Sequence, residues 1–225
     1  MDSKVKLKPD CSNSMKVLGI TAQKGGAGKT TLGIHLAVRA GRDGLKVLLV
    51  DLDPQASATA WWQRRQEISP ALVQADGDNL PSVLEKAKNE GYQFAVIDTA
   101  PHSSFEATAC ARLADKVLIP TRPAILDLDA IGATTDLVAK VGVTAQIVLN
   151  ACPPATKFGE TKIVAEARQA LSAYGIPVND VVISQRAAFS HALIDGRTVI
   201  EFDPAGKAAS ELERLWLALS KELFR

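Results

Sequence analysis

The chain has 225 residues, a length that predicts one α/β domain. Its hydrophobic content of 47% and charged content of 23% are those of a globular protein, and its net charge of +1 excludes nucleic-acid binding through overall charge alone. The three cysteines and three histidines have no metal-ligand spacing, so neither a disulfide scaffold nor a zinc site is predicted. No apolar run approaches the roughly 18 residues of a membrane span, and no secretory signal is recognised, so we expect a cytoplasmic protein.

Residues 1–14 are polar and aperiodic, which predicts a flexible N-terminal tail before a single domain at residues 15–225. In that domain apolar strands alternate with helical stretches. This alternation predicts the α/β class, with a mostly parallel twisted sheet flanked by helices on both faces. The strands are predicted at residues 16–21, 46–50, 72–75, 93–97, 116–120, 145–150 and 181–183. The helices are predicted at residues 31–39, 56–66, 80–89, 104–113, 127–141, 157–174 and 205–223.

A glycine-rich loop separates the first strand from the first helix, as a phosphate-binding loop requires. Residues 24–31 read Lys-Gly-Gly-Ala-Gly-Lys-Thr-Thr, with Gln23 in place of the usual first glycine. Glycines allow backbone N–H groups to converge on phosphate oxygens, and the helix N-terminus adds partial positive charge. We expect Lys29 to reach the β- and γ-phosphates and Thr30 to offer its hydroxyl to Mg²⁺. The alternative is a glycine-rich turn that happens to contain two lysines.

Acidic residues follow two further strands, at the edge where parallel sheets bind ligands. Asp51 and Asp53 end the second strand, and one of them could orient water or contact Mg²⁺ through water. Asp98 closes an apolar strand, which is the position of the acid that supports Mg²⁺ beside a phosphate loop. A pair of solvated loop acids is the alternative for Asp51 and Asp53.

Together these segments resemble the ParA/MinD group of deviant-Walker ATPases, from about Lys16 to the C-terminus. The loop is similar to the hallmark of that group, and Asp-Leu-Asp-Pro-Gln at residues 51–55 points more narrowly to the ParA branch. Residues 119–127, 183–186 and 192–201 are also similar to small ParA proteins, which lack an N-terminal DNA-reading domain.

The resemblance implies roles for the matching residues. Lys24 would be the signature lysine that crosses a dimer interface, and Asp53 would position the attacking water. Asp98 would belong to the second switch, and Asn150 would lie where relatives contact adenine. Mg²⁺ would involve Thr30, Asp53 and Asp98. The nucleotide would be bound by Lys24, Gly25, Gly26, Ala27, Gly28, Lys29, Thr30 and Thr31. No Asn-Lys-x-Asp guanine signature is present, so ATP is favoured over GTP.

The resemblance further implies a nucleoid-associated ATPase that dimerises on ATP, binds non-specific DNA and moves plasmid or chromosomal cargo. The sequence reveals no internal arginine finger, so basal hydrolysis should be slow. A ParB-like partner would stimulate it, and an arginine supplied in trans raises such rates by about 10³–10⁵. The predicted DNA contacts are Arg186, Arg197, Lys207, Arg214 and Lys221.

Two alternatives remain open. One is a positioning ATPase for a protein cargo, such as a microcompartment or a chemoreceptor cluster. The other is a MinD-like ATPase that cycles on a membrane, for which the amphipathic closing helix would be the lipid contact. The apolar side of this helix consists of Leu212, Leu215, Trp216, Leu219 and Leu223. Its polar side carries both acidic and basic residues, which favours packing against the sheet over binding to anionic lipid.

Overall fold

The computed structural model describes residues 14–157 and 159–225, so the tail predicted at residues 1–14 lies outside the described residues except for the exposed Ser14. The strands are β1 (Lys16–Ile20), β2 (Val47–Asp51), β3 (Ala71–Gln74), β4 (Phe94–Asp98), β5 (Lys116–Thr121) and β6 (Ala145–Leu149). The helices are α1 (Lys29–Arg42), α2 (Ser57–Arg64), α3 (Leu80–Asn89), α4 (Ser104–Leu113), α5 (Ile125–Asp129), α6 (Ile131–Val141), α7 (Lys162–Leu171), α8 (Ala187–Leu193), α9 (Val199–Phe202) and α10 (Lys207–Leu223).

The six strands of the described chain form one sheet in the order β3-β2-β4-β1-β5-β6, and each neighbouring pair is parallel. Alternate side chains enter the cores on its two faces. On β4, Phe94 and Val96 pack in the core that contains α1 and α10, whereas Ala95 and Ile97 pack with α3 and α4. Helices therefore cover both faces, which is why the strands are continuous apolar runs. The predicted α/β fold class is confirmed.

The register brings the predicted functional segments to one edge of the sheet. Ile20 of β1 and Asp51 of β2 both lie opposite Asp98 of β4. Residues 21–28 connect β1 to α1 at this same edge. Because all the strands are parallel, their carboxyl ends meet here and the phosphate loop lies beside the acidic residues.

The closing helix α10 packs its apolar side against α1 and the sheet. All five residues of that side are buried: Leu212, Leu215, Trp216, Leu219 and Leu223. The Trp216 ring meets Phe94 edge to face at 5.5 Å, and its indole N–H donates to the Asp43 carboxylate at 2.7 Å. The apolar side is thus committed to the core, as the mixed charge of the polar side predicts. No helix in the described ranges is long and apolar enough to cross a membrane.

The helix predicted at residues 127–141 is instead two helices, α5 and α6, that meet at Ala130. The Tyr174 hydroxyl donates to the Leu128 carbonyl at 3.1 Å. In a continuous helix that carbonyl would accept a backbone N–H of the next turn, so the side-chain contact accompanies the break. The sequence pattern of residues 127–141 cannot reveal this contact because Tyr174 lies far along the chain.

The helix predicted at residues 157–174 begins later, at Lys162. Gly159 has φ of 106° and closes a turn with Thr156, which is incompatible with helical backbone. After α7 a 3₁₀ turn extends over Ser172–Tyr174, and Gly175 ends it with φ of 69°.

The strand predicted at residues 181–183 does not form a regular strand. The Val181 N–H donates to the Asn179 side chain at 2.7 Å, and this local turn interrupts pairing with β6. Residues on either side still form single parallel bridges, Val178 with Ile147 in β6 and Ser184 with Cys152 just after β6. The segment therefore extends the sheet edge irregularly and leads into α8.

Candidate nucleotide-binding site

A cavity of about 700 Å³ opens at the carboxyl edge of the sheet, within the size range of small-molecule sites. One end is lined by the phosphate loop and the first turn of α1, together with Asp53 and Arg122. A second part of the lining, the cavity wall, comes from residues 183–187 and from Phe189, Ser190 and Leu193 of α8. The cavity thus has a phosphate end, where Lys29 and Arg122 lie at the loop, and a wall of mixed apolar and polar residues.

The backbone of the loop depends on two glycines. Gly26 and Gly28 have φ of 75° and 96°, which L side chains rarely adopt. A Cβ on Gly28 would also overlap the Asn150 side-chain amide, and one on Gly26 would lie 3.3 Å from the Arg122 guanidinium. No side chain caps the N-terminus of α1. Its first N–H groups can therefore bind an anion in the cavity.

Two cations face the phosphate end. Lys29 is the first residue of α1 and is only 6% exposed. Burial lowers the pKa of its ammonium, and the carboxylates of Asp98 and Asp53 oppose that shift. Arg122 follows β5 and lines the cavity beside Gly26. The sequence analysis gave Arg122 no role. Its position just after a strand next to β1 is the signal that could have identified it.

Asp98 is fully buried at the end of β4, and neither of its carboxylate oxygens has a hydrogen-bond partner in the described chain. Burial raises its pKa to about 7. The nearby Thr30 hydroxyl, which lies outside hydrogen-bond geometry, and Lys29 favour the ionised form, whereas Asp51 and Asp53 disfavour it. A buried carboxyl with unmet acceptors is a costly arrangement without a ligand. Asp98 is thus suited to a cationic ligand or its bound water.

The structure separates the roles of the two acids that follow β2. Asp51 is buried and accepts three hydrogen bonds of 2.8–3.1 Å, from the Asp53 N–H and from the N–H and hydroxyl of Thr59. Asp53 is partly exposed, accepts from the Gln55 N–H at 2.9 Å and lines the cavity. Asp51 therefore holds the loop and α2 in place, while Asp53 faces the ligand space.

Asn150 follows β6 and connects it to the phosphate loop. Its side-chain amide donates to the Ala27 carbonyl at 2.7 Å, and the residue also lines the cavity. The amide nitrogen is therefore engaged with the loop. The adenine contact implied by the family resemblance stays a prediction, which would use other atoms of this residue.

Lys24 lies outside the large cavity. Its partly exposed side chain borders a separate small cleft with Gln23, Asp127 and Thr134, on the side of α5 and α6. The Gln23 N–H donates to the Thr134 hydroxyl at 3.3 Å and fixes the start of the loop there. The two lysines of the loop thus border different spaces, Lys29 the large cavity and Lys24 the small cleft.

The five predicted DNA contacts are two arginines in ion pairs and three exposed residues of α10. Arg186 lines the cavity and pairs with Glu211 at 2.7 Å, and Arg197 pairs with Asp195 at 2.7 Å. The other three, which are exposed, recur every seven residues along one side of α10: Lys207, Arg214 and Lys221. These three residues form one exposed stripe, and the DNA contacts of all five residues stay a prediction.

A Mg²⁺ ion at the phosphate end would have few protein ligands. In the described ranges no group of three or more His, Cys, Asp or Glu residues could hold a metal ion. Mg²⁺ in nucleotide sites is usually held by one or two carboxylates and by substrate phosphates rather than by an all-protein cage. Thr30 and the unpartnered Asp98, with Asp53 at the cavity, fit that type of site.

Comparison with known proteins agrees with this site. The family model described as the CobQ/CobB/MinD/ParA nucleotide binding domain matches residues 18–199. The chain is 33% identical over 218 residues to the maintenance of carboxysome distribution protein A of Gloeobacter kilaueensis. The aligned region covers 95% of this chain and 96% of that protein. It is 26% identical to the chromosome-partitioning ATPase Soj of Thermus thermophilus, over 88% of this chain and 92% of that protein.

A solved structure of a Cyanothece McdA variant in complex with ATP has the same fold. Its TM-score is 0.73 at 20% sequence identity, over 92% of this chain and 96% of that chain. The family match includes the phosphate loop and the segments that contain both Asp53 and Asp98. The chain therefore belongs to the CobQ/CobB/MinD/ParA nucleotide-binding family and is a deviant-Walker ATPase of the ParA/MinD group.

Proposed function

We propose that this chain is a positioning ATPase whose cargo is a protein assembly of the microcompartment class. The observation that carries the proposal is the 33% identity to a carboxysome-distribution protein over almost the full length of both chains. It favours the protein-cargo alternative over the plasmid or chromosomal cargo expected first from the sequence. On this account the partner that stimulates hydrolysis belongs to the protein cargo and is not a ParB-like protein.

ATP is the proposed substrate, with its phosphates bound at the phosphate end of the cavity. The Lys29 ammonium neutralises the β- and γ-phosphates, and the N–H groups of the loop and of the first turn of α1 donate to their oxygens. Arg122, exposed and beside Gly26, adds a second positive charge from the same subunit. These groups stabilise charge without covalent chemistry, which is the usual contribution of a protein to phosphoryl transfer.

Asp53 orients the attacking water, because it is the carboxylate that faces the cavity while Asp51 is occupied by three hydrogen bonds. The Thr30 hydroxyl and Asp98 would hold Mg²⁺, with Asp53 acting near it through water. Mg²⁺, when bound, neutralises charge that develops on the phosphates. The unmet acceptors of Asp98 support its part in that site.

Lys24 acts across a dimer interface that forms in the ATP state. Its position outside the cavity of its own subunit supports this role, because an ammonium there is available to a second copy. Two subunits would then enclose the nucleotides between them. Binding of ATP is thereby converted into a change of assembly state.

The dimer binds non-specific DNA, which serves as the surface over which cargo moves. One exposed stripe of Lys207, Arg214 and Lys221 is a weak patch on a chain of net charge +1. Two copies in one dimer bind phosphates far better than one, because the second contact is intramolecular. Arg197 and Arg186 are further candidates, although each pairs with an acidic neighbour.

The test of cargo is made in the native cell with the gene deleted and then restored as wild type or as Lys29→Ala. Microcompartments and a low-copy plasmid are labelled and imaged together. We expect microcompartments to cluster in the deletion and in the Lys29 variant while the plasmid is retained. Plasmid loss with normally spaced microcompartments would instead support the second candidate, a partition ATPase, which the similarity to Soj favours.

A further inference from the structure

The cavity wall includes a chain segment, residues 183–185, that has little regular structure of its own. Residues 183–185 run beside the end of β6, where the Ile183 N–H donates to the Leu149 carbonyl and the Gln185 N–H donates to the Cys152 carbonyl, at 2.9 and 2.8 Å. The Cys152 N–H donates in turn to the Ile183 carbonyl at 3.0 Å, whereas the Ser184 N–H and the Arg186 side chain are held by side-chain contacts.

Those contacts come from one carboxylate on the closing helix. Glu211 lies in the first turns of α10 and is buried. Its Oε2 accepts from the Ser184 N–H at 3.0 Å, and its Oε1 accepts from the Ser184 hydroxyl at 2.8 Å. The Arg186 guanidinium donates to the same Oε1 from Nε at 3.1 Å and from Nη2 at 2.7 Å. Glu211 therefore holds both sides of the wall residue Gln185.

The wall lines the same cavity as the phosphate loop, so it can contact the rest of a nucleotide whose phosphates are bound at the loop. A nucleotide with its phosphates on the loop leaves its nucleoside for the rest of the cavity, whose lining includes Asn150 and Ala151 together with the wall at residues 183–187. Resting on the proposed function, we infer that Glu211 is a positioning residue that, through Ser184 and Arg186, sets the affinity and base selectivity of the nucleoside end of the site.

The chemistry requires a carboxylate at residue 211. Four donors converge on its two oxygens, and of these groups only the Ser184 hydroxyl can also accept a hydrogen bond. Glutamine has the same shape but one oxygen and one NH₂ group. Either orientation of its amide places N–H groups against N–H donors, so Ser184 or Arg186 must move away. A wall that moves no longer presents fixed hydrogen-bonding groups to a base.

The experiment compares the full chain with Glu211→Gln, Arg186→Lys and the control Glu213→Gln. Glu213 is on the same helix but pairs with Arg39 at 2.6 Å and lines no part of the cavity. Affinities for ATP, GTP and inorganic tripolyphosphate, all with Mg²⁺, are measured by titration calorimetry. Thermal unfolding without ligand verifies that each variant is folded. Arg186→Lys keeps the charge but loses the two-nitrogen contact, and it replaces Glu211→Gln if that variant does not fold.

We expect roughly tenfold weaker ATP binding in Glu211→Gln, together with a smaller ATP-to-GTP preference and unchanged tripolyphosphate binding. Arg186→Lys should change in the same direction, and Glu213→Gln should match wild type. A merely structural role would lower the unfolding temperature but leave base preference unchanged. Wild-type ATP affinity and selectivity in a folded Glu211→Gln would overturn the inference alone. Failure of the unaltered chain to bind ATP would overturn the proposed function and the inference with it.

Discussion

The side-chain amide of Asn150 donates a 2.7 Å hydrogen bond to the main-chain carbonyl of Ala27, 123 residues earlier in the chain. This contact connects the end of β6 to the centre of the phosphate loop. It is possible because the next loop residue is Gly28, where a Cβ would overlap the amide. The loop conformation is thus stabilised from outside by a residue that also lines the cavity.

Loss of this donor should weaken nucleotide binding without unfolding the chain. We expect Asn150→Ala to weaken ATP binding about tenfold, because the loop loses a buried hydrogen bond of about 1–1.5 kcal/mol. Asn150→Asp should be worse, since a carboxylate cannot donate and repels both the Ala27 carbonyl and the phosphates. Equilibrium titration with a fluorescent ATP analogue measures both variants. Equal affinities in wild type and Asn150→Asp would contradict a role in holding the loop.

Asp53 should support ATP hydrolysis, whereas Asp51 should support the stability of the fold. Asp53→Asn should lower single-turnover ATP hydrolysis about 10²-fold with little change in stability, because Asp53 orients water at the cavity. Asp51→Ala should lower the free energy of unfolding by about 3 kcal/mol, because three donors from Asp53 and Thr59 lose their buried acceptor. Urea denaturation and quenched-flow hydrolysis separate the two effects, and a stable but inactive Asp51→Ala would reverse the assignment.

The two lysines of the loop should separate nucleotide binding from assembly. Lys29→Ala should abolish tight ATP binding, because its ammonium is the buried cation at the phosphate end. Lys24→Ala should retain ATP binding but fail to dimerise with ATP, because Lys24 borders the separate small cleft. Calorimetry and analytical ultracentrifugation provide the two readouts. Normal ATP-dependent dimers of Lys24→Ala would exclude the cross-interface role.

A buried histidine should make stability depend on pH. Burial lowers the pKa of His35 from its ordinary 6.5 to about 4, and the contact with the Thr31 carbonyl and the charge of Glu201 oppose that shift. Native His35 stays neutral while the unfolded chain takes up a proton, so its contribution is complete above pH 6.5 and is lost as pH falls towards 4. At pH 5 the loss is about 2 kcal/mol.

His35→Gln should therefore have a flatter dependence of unfolding free energy on pH between 7 and 5 than wild type. Urea denaturation at pH 7, 6 and 5 without nucleotide is the measurement, and the same substitution at the exposed His191 is the control. A slope in His35→Gln equal to that of wild type would mean that His35 is not held neutral in the folded chain.

The pattern of apolar and turn residues was sufficient to predict most strands and the place of the phosphate loop and the acids. Six of the seven predicted strands form. Short apolar runs that end in turn residues are buried most fully as strands of a parallel sheet covered on both faces. The loop at residues 24–31 and the acids Asp53 and Asp98 are at one edge, as expected, because parallel strands align their carboxyl ends.

Long-range side-chain contacts were the part that sequence pattern could not provide. The prediction of a strand at residues 181–183 was wrong because the Asn179 side chain accepts a hydrogen bond from the Val181 N–H. The pairing of Glu211 with Ser184 and Arg186 joins two segments that have no local signal for each other. Arg186 was expected at DNA from family resemblance, and its place in the cavity wall depends on this pairing.

The central claim, that ATP gates assembly and DNA binding, is tested most directly by retention of random-sequence duplex DNA with Mg²⁺-ATP and with Mg²⁺-ADP at moderate salt. Wild type and Lys24→Ala are compared at equal concentration. The account predicts retention by wild type with ATP only, and none by Lys24→Ala with either nucleotide. Equal retention with ATP and ADP, or none by wild type while it binds ATP, would contradict it.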